Sequence, residues 1–383
     1  MSRASKFKLL VILLALGLPV LVRGGDSAAE LESAGLRMPL GIPAELWSYF
    51  VPNSNRMTPA KIELGRQLFF DKQLSSDGTV SCATCHDPGL AFTDGKKVAE
   101  GIAGKRGTRN SPSLLNAMFN AGQFWDGRAG SLEAQAVLPL INSDEMGNAS
   151  HAQLVERLQH VSAYVSQFKE VFGGSVTIEG IGKAIAAYER TLVSANAPID
   201  RFIAGDREAI SAAAQRGFAL FRGRARCSVC HSVNQAFPFL SDQNYRNTGV
   251  ATSSSAGFEA LATRATEAVR AVDQTAALRG LSKESATSEL GRFMVSGSPL
   301  DIGSFRTPSL RNVELTAPYF HNGSAATLKE VVAFYSKGGG DDPRRDWELQ
   351  PLGLTEREQE DLIEFLKSLT GDDARRAAQE SKH

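Results

Sequence analysis

Apolar positions recur at helical spacing along most of the chain and almost nowhere alternate, so the pattern predicts a mainly α protein with long loops and few strands. The clearest segment is 57–70. Thr58 stands where a helix cap belongs, Pro59 suits the first turn, and Ile62, Leu64, Leu68 and Phe69 share one face. The same pattern returns over 212–221, where Gly217, Leu220 and Phe221 answer Gly65, Leu68 and Phe69. Segments 151–172, 178–195 and 356–369 carry the same periodicity, the last with Leu362, Phe365, Leu366 and Leu369 facing inward. From Gly371 onward the chain is charged and reads as a frayed tail.

The recurrence of one helix is part of a larger repeat. Within 107–137 and 304–332, residues 108–136 and 304–332 align without gaps at an offset of 196. Pro112-Ser113-Leu114 answers Pro308-Ser309-Leu310, Asn116 answers Asn312, and Ala121, Phe124, Gly127 and Leu132 answer Ala317, Phe320, Gly323 and Leu328. The pattern therefore predicts two tandem domains, 57–196 and 197–370, meeting at Ala197-Pro198. A lead-in over 25–56 wraps over a domain, and a charged tail occupies 371–383. Segment 251–298, rich in Ala, Ser, Thr and Gly, has no counterpart in the first copy and reads as a long loop or a pair of short helices.

Composition adds constraints. A chain of 383 residues is long enough for two cores, and 42 basic against 42 acidic residues give no support for nucleic-acid binding. Arg3, Lys6 and Lys8 precede an apolar run over 9–22, shorter than the roughly 20 residues that a spanning helix needs. Residues 1–24 thus read as a signal peptide, which predicts a periplasmic protein; membrane attachment follows only if that segment is not cleaved.

Each copy carries Cys-x-x-Cys-His upstream of its repeat: Cys82, Cys85 and His86, then Cys227, Cys230 and His231. These four are all the cysteines in the chain. A zinc ribbon needs its second pair about 15–20 residues on, whereas these pairs lie 145 apart. A redox dithiol would not need a histidine after both. The spacing instead suits two covalently bound c-type hemes, with His86 and His231 as proximal iron ligands.

With these motifs in hand, the chain resembles the bacterial di-heme cytochrome c peroxidase superfamily over nearly all of 57–369. The resemblance rests on 81–86, Phe124-Trp125-Asp126-Gly127-Arg128, 306–313 and Thr316-Ala317-Pro318-Tyr319-Phe320-His321. It implies a peroxide-reactive heme in the first copy and an electron-transferring heme in the second. It also implies Glu145 as acid/base, Gln135 in the same distal pocket, Trp125 between the hemes, and one calcium ion held by Asn110, Thr316 and Pro318 across the domains.

Two departures point to the MauG-like branch. No histidine lies between His86 and His151 to block the first iron. The position fourteen residues after His321, where the family carries methionine, holds Tyr335. Met294 and His321 are the rival ligands for the second iron. At the offset of 196, Tyr335 corresponds to Pro139, which has no ligating atom. These features imply a hydrogen-peroxide-dependent oxidoreductase fed by a small cytochrome c or cupredoxin. The alternative is a MauG-like enzyme that spends peroxide's oxidising equivalents on a protein side chain, and the third reading is a plain di-heme electron carrier. Segment 251–298 would then cover the second heme.

Overall fold

The computed structural model describes residues 31–255, 257–273, 277, 281 and 285–381. The expected signal segment lies outside them. Among the described residues, no helix is long and apolar enough to cross a membrane. The architecture is mainly helical, and the sole sheet among those residues pairs β1 (Tyr245–Asn247) antiparallel with β2 (Ser304–Arg306), Arg246 opposite Phe305.

Two helix pairs form the frame. In the first half α1 (Pro59–Phe70) crosses α2 (Ile178–Glu189); in the second, α3 (Ala212–Arg222) crosses α4 (Glu356–Lys367). The caps explain where these helices start. Thr58 Oγ accepts from the Lys61 amide at 3.3 Å with Pro59 at the first position, and Thr355 forms a capping box with Glu358. The matched glycines explain the crossings. A Cβ on Gly65 would sit 1.9 Å from the Ala184 carbonyl oxygen, and one on Gly217 would sit 1.9 Å from that of Asp361. Only a residue without a side chain lets these backbones meet.

The repeat is visible in the backbone too. Asn116 and Asn312 are left-handed at φ 63° and 62°, Phe124 and Phe320 at 65° and 69°. The bridge between Gln123 and Ala129 recurs between Tyr319 and Ala325. Each asparagine then ties its loop to the chain after its half's long helix, through Ser194 in one case and Gly371 in the other.

Segment 31–57 packs into the junction of the halves. Trp47 is fully buried there with Leu46 and Met57, beside Phe119 from the first half and Phe239 from the second, whose rings stack at 4.2 Å. Burying one tryptophan, about 200 Å², contributes on the order of 5 kcal/mol before entropy is counted.

Three expectations are corrected. The periodic run 151–172 is two helices, His151–Gln159 and Ser162–Phe172. The charged tail is α5 (Asp372–Glu380), whose Ala374 and Ala378 are buried one turn apart; Arg201 pairs with its Asp372 at 2.8 Å, and Ser381 Oγ donates to the Gly89 carbonyl at 3.1 Å. It braces the loop that follows the first Cys-x-x-Cys-His. Segment 251–298 is helical at Val250–Ser254, Phe258–Arg270 and Phe293–Ser296, with an apolar core of its own built on Phe258, Leu261, Leu290 and Phe293. That core packs against Trp125, and none of the segment's described residues lines the second heme cavity.

Candidate heme centres and the bridge between them

Cys82 and Cys85 occupy a single helical turn, Cys82–Cys85, started by a capping box in which the Ser81 amide donates to Thr84 Oγ at 2.9 Å. His86 follows, and its Nδ1 donates to the Phe92 carbonyl at 3.0 Å. In the second copy Cys227 opens a 3₁₀ turn, Cys227–Val229, that Cys230 caps, and His231 Nδ1 donates to the Leu240 carbonyl at 2.8 Å. A carbonyl only accepts, so both rings hold their proton on Nδ1 and leave Nε2 as the ligating nitrogen. Burial lowers both imidazoles, which favours the neutral, ligating form, while the neighbouring carbonyls push back.

All four thiols are unpaired, and burial pushes them up, to about 11 at Cys85 and Cys230. Among the described residues no three His, Cys, Asp or Glu side chains gather into a group that could hold a metal ion.

A cavity that opens to solvent runs along the second copy and reaches the domain junction. Cys227, Cys230, His231 and Tyr335 line it. Tyr335 lies on α-helix Leu328–Ser336, and its hydroxyl has no hydrogen-bond partner among the described residues. Burial pushes this phenol well above its ordinary value, and the neighbouring Cys230 and Cys227 add to the rise. A phenol without a partner, facing the same cavity as a proximal histidine, fits an iron ligand. Met294 packs instead on the core around Phe293 and is absent from the cavity wall. His321 does line the cavity, but its Nε2 meets Glu289 Oε2 at 3.0 Å and its ring stacks on Phe305 at 3.5 Å.

In the first copy Gln135 ends the short helix Leu132–Ala136, Pro139 sits in the next, Leu138–Ile141, and Glu145 follows in the adjoining turn. Asn142 Nδ2 donates to Glu145 Oε1 at 2.9 Å. Burial raises the Glu145 carboxyl; Arg128 and Asn142 oppose the rise and Asp144 adds to it. The Glu145 charge also bears on both Cys82 and Cys85, which places it beside the first heme motif. His151, the first histidine after His86, donates its Nε2 proton to the Val137 carbonyl at 2.7 Å and serves as a tie between helices.

Trp125 and Asn110 connect the halves. Trp125 Nε1 donates to the Asn110 carbonyl at 2.9 Å, the Asn110 amide donates to the His321 carbonyl at 2.8 Å, and the Arg306 amide donates to the Trp125 carbonyl at 2.8 Å. Asn110, Thr316 and Pro318 all line the shared cavity. Asn110 Nδ2 is used by the Lys96 carbonyl, whereas no donor among the described residues reaches its Oδ1 or the Thr316 and Pro318 carbonyls. Three uncommitted neutral oxygens suit a hard cation completed by water.

The structure also brings in residues that the motifs did not single out. Glu289 reaches His321 from the unmatched segment, Arg109 donates to the Ser288 carbonyl at 2.7 Å while pairing with Asp126 at 2.9 Å, and Arg292 donates to the Asp126 carbonyl at 3.0 Å. Nothing in the spacing of Glu289 and Arg292 marks them, because their segment has no matched copy.

A family model described as di-haem cytochrome c peroxidase matches residues 59–208. The cytochrome-c peroxidase IdrP1 of Denitromonas iodatirespirans is 41% identical, the match covering 84% of both chains. The methylamine utilization protein MauG of Methylorubrum extorquens is 37% identical over 84% of this chain and 82% of its own. Among solved structures, a MauG-like protein associated with microbial copper homeostasis superposes with a TM-score of 0.69 at 32% identity, covering 84% of this chain and 92% of that one. The chain belongs to the di-haem cytochrome c peroxidase family and is a di-heme peroxidase.

Proposed function

We propose that this chain is an exported peroxidase with two thioether-bound c-type hemes, one per half of the 57–196 and 197–370 division, clamped by calcium at Asn110, Thr316 and Pro318. Hydrogen peroxide is reduced at the first heme, and electrons arrive through the second from a small cytochrome c or cupredoxin. The observation that carries the assignment is the contrast at one repeat position. Tyr335 turns a partnerless hydroxyl into the second cavity, and its counterpart Pro139 offers no ligating atom.

A heme held by Cys82, Cys85 and His86 would supply the two-electron cleavage of the O–O bond. The residues around it supply the rest. Glu145, held by Asn142, takes the proton from the inner oxygen and returns it to the outer one as water leaves. Gln135 orients the peroxide. Trp125, half-buried between the segment 251–298 core and Asn110, lies on the path from the second half.

A second reading has support from one observation: no histidine stands between His86 and His151, and His151 is committed to Val137. The first iron then needs no prior reduction, which suits MauG-like oxidation of a protein side chain. Electron paramagnetic resonance of the diferric protein tests the assignment. One high-spin and one low-spin heme are expected, with the low-spin signal lost in Tyr335→Phe and kept in Met294→Leu. Two low-spin hemes in the wild type overturn it.

A further inference from the structure

Trp347 is three-quarters exposed, at 75%. Leaving an indole in water forgoes most of the burial of about 150–250 Å² that a tryptophan usually provides, and the surrounding turn is not loose. On one side Asp346 takes Arg246 Nη1 at 2.6 Å, and its amide donates to the Asn247 carbonyl at 2.8 Å. On the other, Glu348 pairs with Arg226, and its amide donates to Asp346 Oδ1 at 3.0 Å. Gln350 Nε2 then donates to the Trp347 carbonyl itself at 2.8 Å. Both neighbours of the tryptophan are thus ion-paired, and the indole is displayed on a fixed support.

That support is the wall of the second heme cavity. Arg226, Arg246, Glu348 and Leu349 all line the cavity that Cys227, Cys230, His231 and Tyr335 share. Val229, between the two cysteines, is exposed at 41%. The turn therefore has the second heme site on its inner side and solvent on its outer side.

Charge around the tryptophan is one-sided. In the pair Arg226–Glu348 the side chains are 46% and 16% exposed, and in Arg224–Glu358 they are 50% and 27% exposed. The guanidinium groups form the outer ends of both pairs. Arg222, two residues earlier, is exposed and lies over the Phe218 ring. An arriving surface meets an apolar indole whose turn is paired to Arg226, with Arg222, Arg224 and the exposed Val229 close to Arg226 along the chain.

We propose that Trp347 is the seat and electron port through which the second heme exchanges single electrons with a small carrier protein whose contact patch is apolar and ringed by carboxylates. A rigid exposed aromatic is the kind of anchor that dominates transient interfaces, and the arginines steer an acidic partner toward it. The inference rests on the peroxidase reading above. Each H₂O₂ takes two electrons and two protons to give two waters. Two carrier molecules are therefore oxidised by one electron each, and no bond forms or breaks at the indole.

The test uses the full-length holoenzyme with H₂O₂ and three donors: a reduced acidic c-type cytochrome, a reduced basic one, and hydroquinone. Trp347→Ala and Trp347→Phe should lower kcat/KM for the acidic cytochrome at least tenfold while hydroquinone oxidation stays within twofold. Arg222→Glu should raise KM for the acidic cytochrome several-fold at low salt, and the difference should vanish at high salt. Trp347 variants that keep the wild-type rate with the acidic cytochrome overturn the proposal, as does a wild type that prefers the basic one. If Trp347→Ala instead splits a dimer into monomers, the surface is a self-interface and the proposal fails. If the wild type oxidises hydroquinone but neither cytochrome, the port fails and the peroxide reading stands. Failure with all three donors removes the peroxidase reading, and the port with it.

Discussion

Glu145→Gln isolates proton transfer from everything else at the first heme. The glutamate carboxyl accepts from Asn142 Nδ2 at 2.9 Å through Oε1, its amide donates to the Asn142 carbonyl at 3.1 Å, and its own carbonyl accepts from the Ile102 amide at 2.9 Å. A glutamine keeps both backbone bonds and offers an amide oxygen to Asn142 at the same place, so stability should change little. What it lacks is a basic oxygen. Loss of a positioned acid–base group costs roughly 10²–10⁴-fold in rate, about 2.7–5.4 kcal/mol in the barrier.

The pH profile adds a second readout. Burial raises the Glu145 carboxyl, so its proton persists above the pH at which an ordinary glutamate ionises. The base form is scarce below that shifted value, and the rate of reaction with peroxide should climb as pH passes through it. The variant should be both slow and flat over the same range. Stopped-flow absorbance of diferric protein mixed with H₂O₂, from pH 4.5 to 8, measures both quantities. A drop smaller than about threefold, or a variant that retains the acid limb, would refute the role, since a residue that only shapes the pocket explains neither effect.

Two further changes probe the scaffold. Gly217→Ala places a Cβ 1.9 Å from the Asp361 carbonyl oxygen; overpacking of about 1–3 kcal/mol outweighs a helix-propensity gain of roughly 0.5–1 kcal/mol, so the denaturation midpoint should fall, and an unchanged midpoint would show that the crossing yields. Glu189 is buried with Oε2 unpartnered, and burial pushes its carboxyl from 4.5 up to about 8. The folded state then holds a proton that the unfolded state releases above about 4.5, so this stabilisation is complete below 4.5 and lost as pH rises to about 8. Glu189→Gln should flatten the decline of Tm across that window, and parallel wild-type and variant curves would count against the shift.

How far the sequence carried this picture depends on whether a feature repeats or is local. The frame helices were legible because their caps and apolar faces lie within single stretches, as with Thr58, Pro59 and Leu64. The heme-binding turns were legible because their cysteines and histidines are contiguous. The C-terminal helix was not, since its buried face is only Ala374 and Ala378, too weak an apolar stripe to stand out among charges. Glu289 and Arg292 were hidden for another reason. Their partners, His321 and the Asp126 carbonyl, lie 32 and 166 residues away, and pairs so distant have no spacing rule. Trp347 belongs to the same class, because exposure follows from packing and not from the residue's hydrophobicity.

The unmatched segment changes how the two halves relate. A duplicated heme unit would by itself build two equivalent sites joined by Trp125 and Asn110. Segment 251–298 breaks that equivalence on one side only, placing its apolar core against Trp125, Glu289 against His321, and Arg292 across the Asp126 and Gly127 carbonyls. Each contact falls on the bridge, and two of the residues reached, Trp125 and His321, also line the second cavity. Covering part of an indole leaves fewer waters to solvate charge on it, so in the proposed peroxidase the segment would bear on how readily Trp125 shares an oxidising equivalent. On the proposed reading, Tyr335 and Pro139 distinguish the two irons, and the added segment sets the surroundings of the path between them. Both are departures from the repeat.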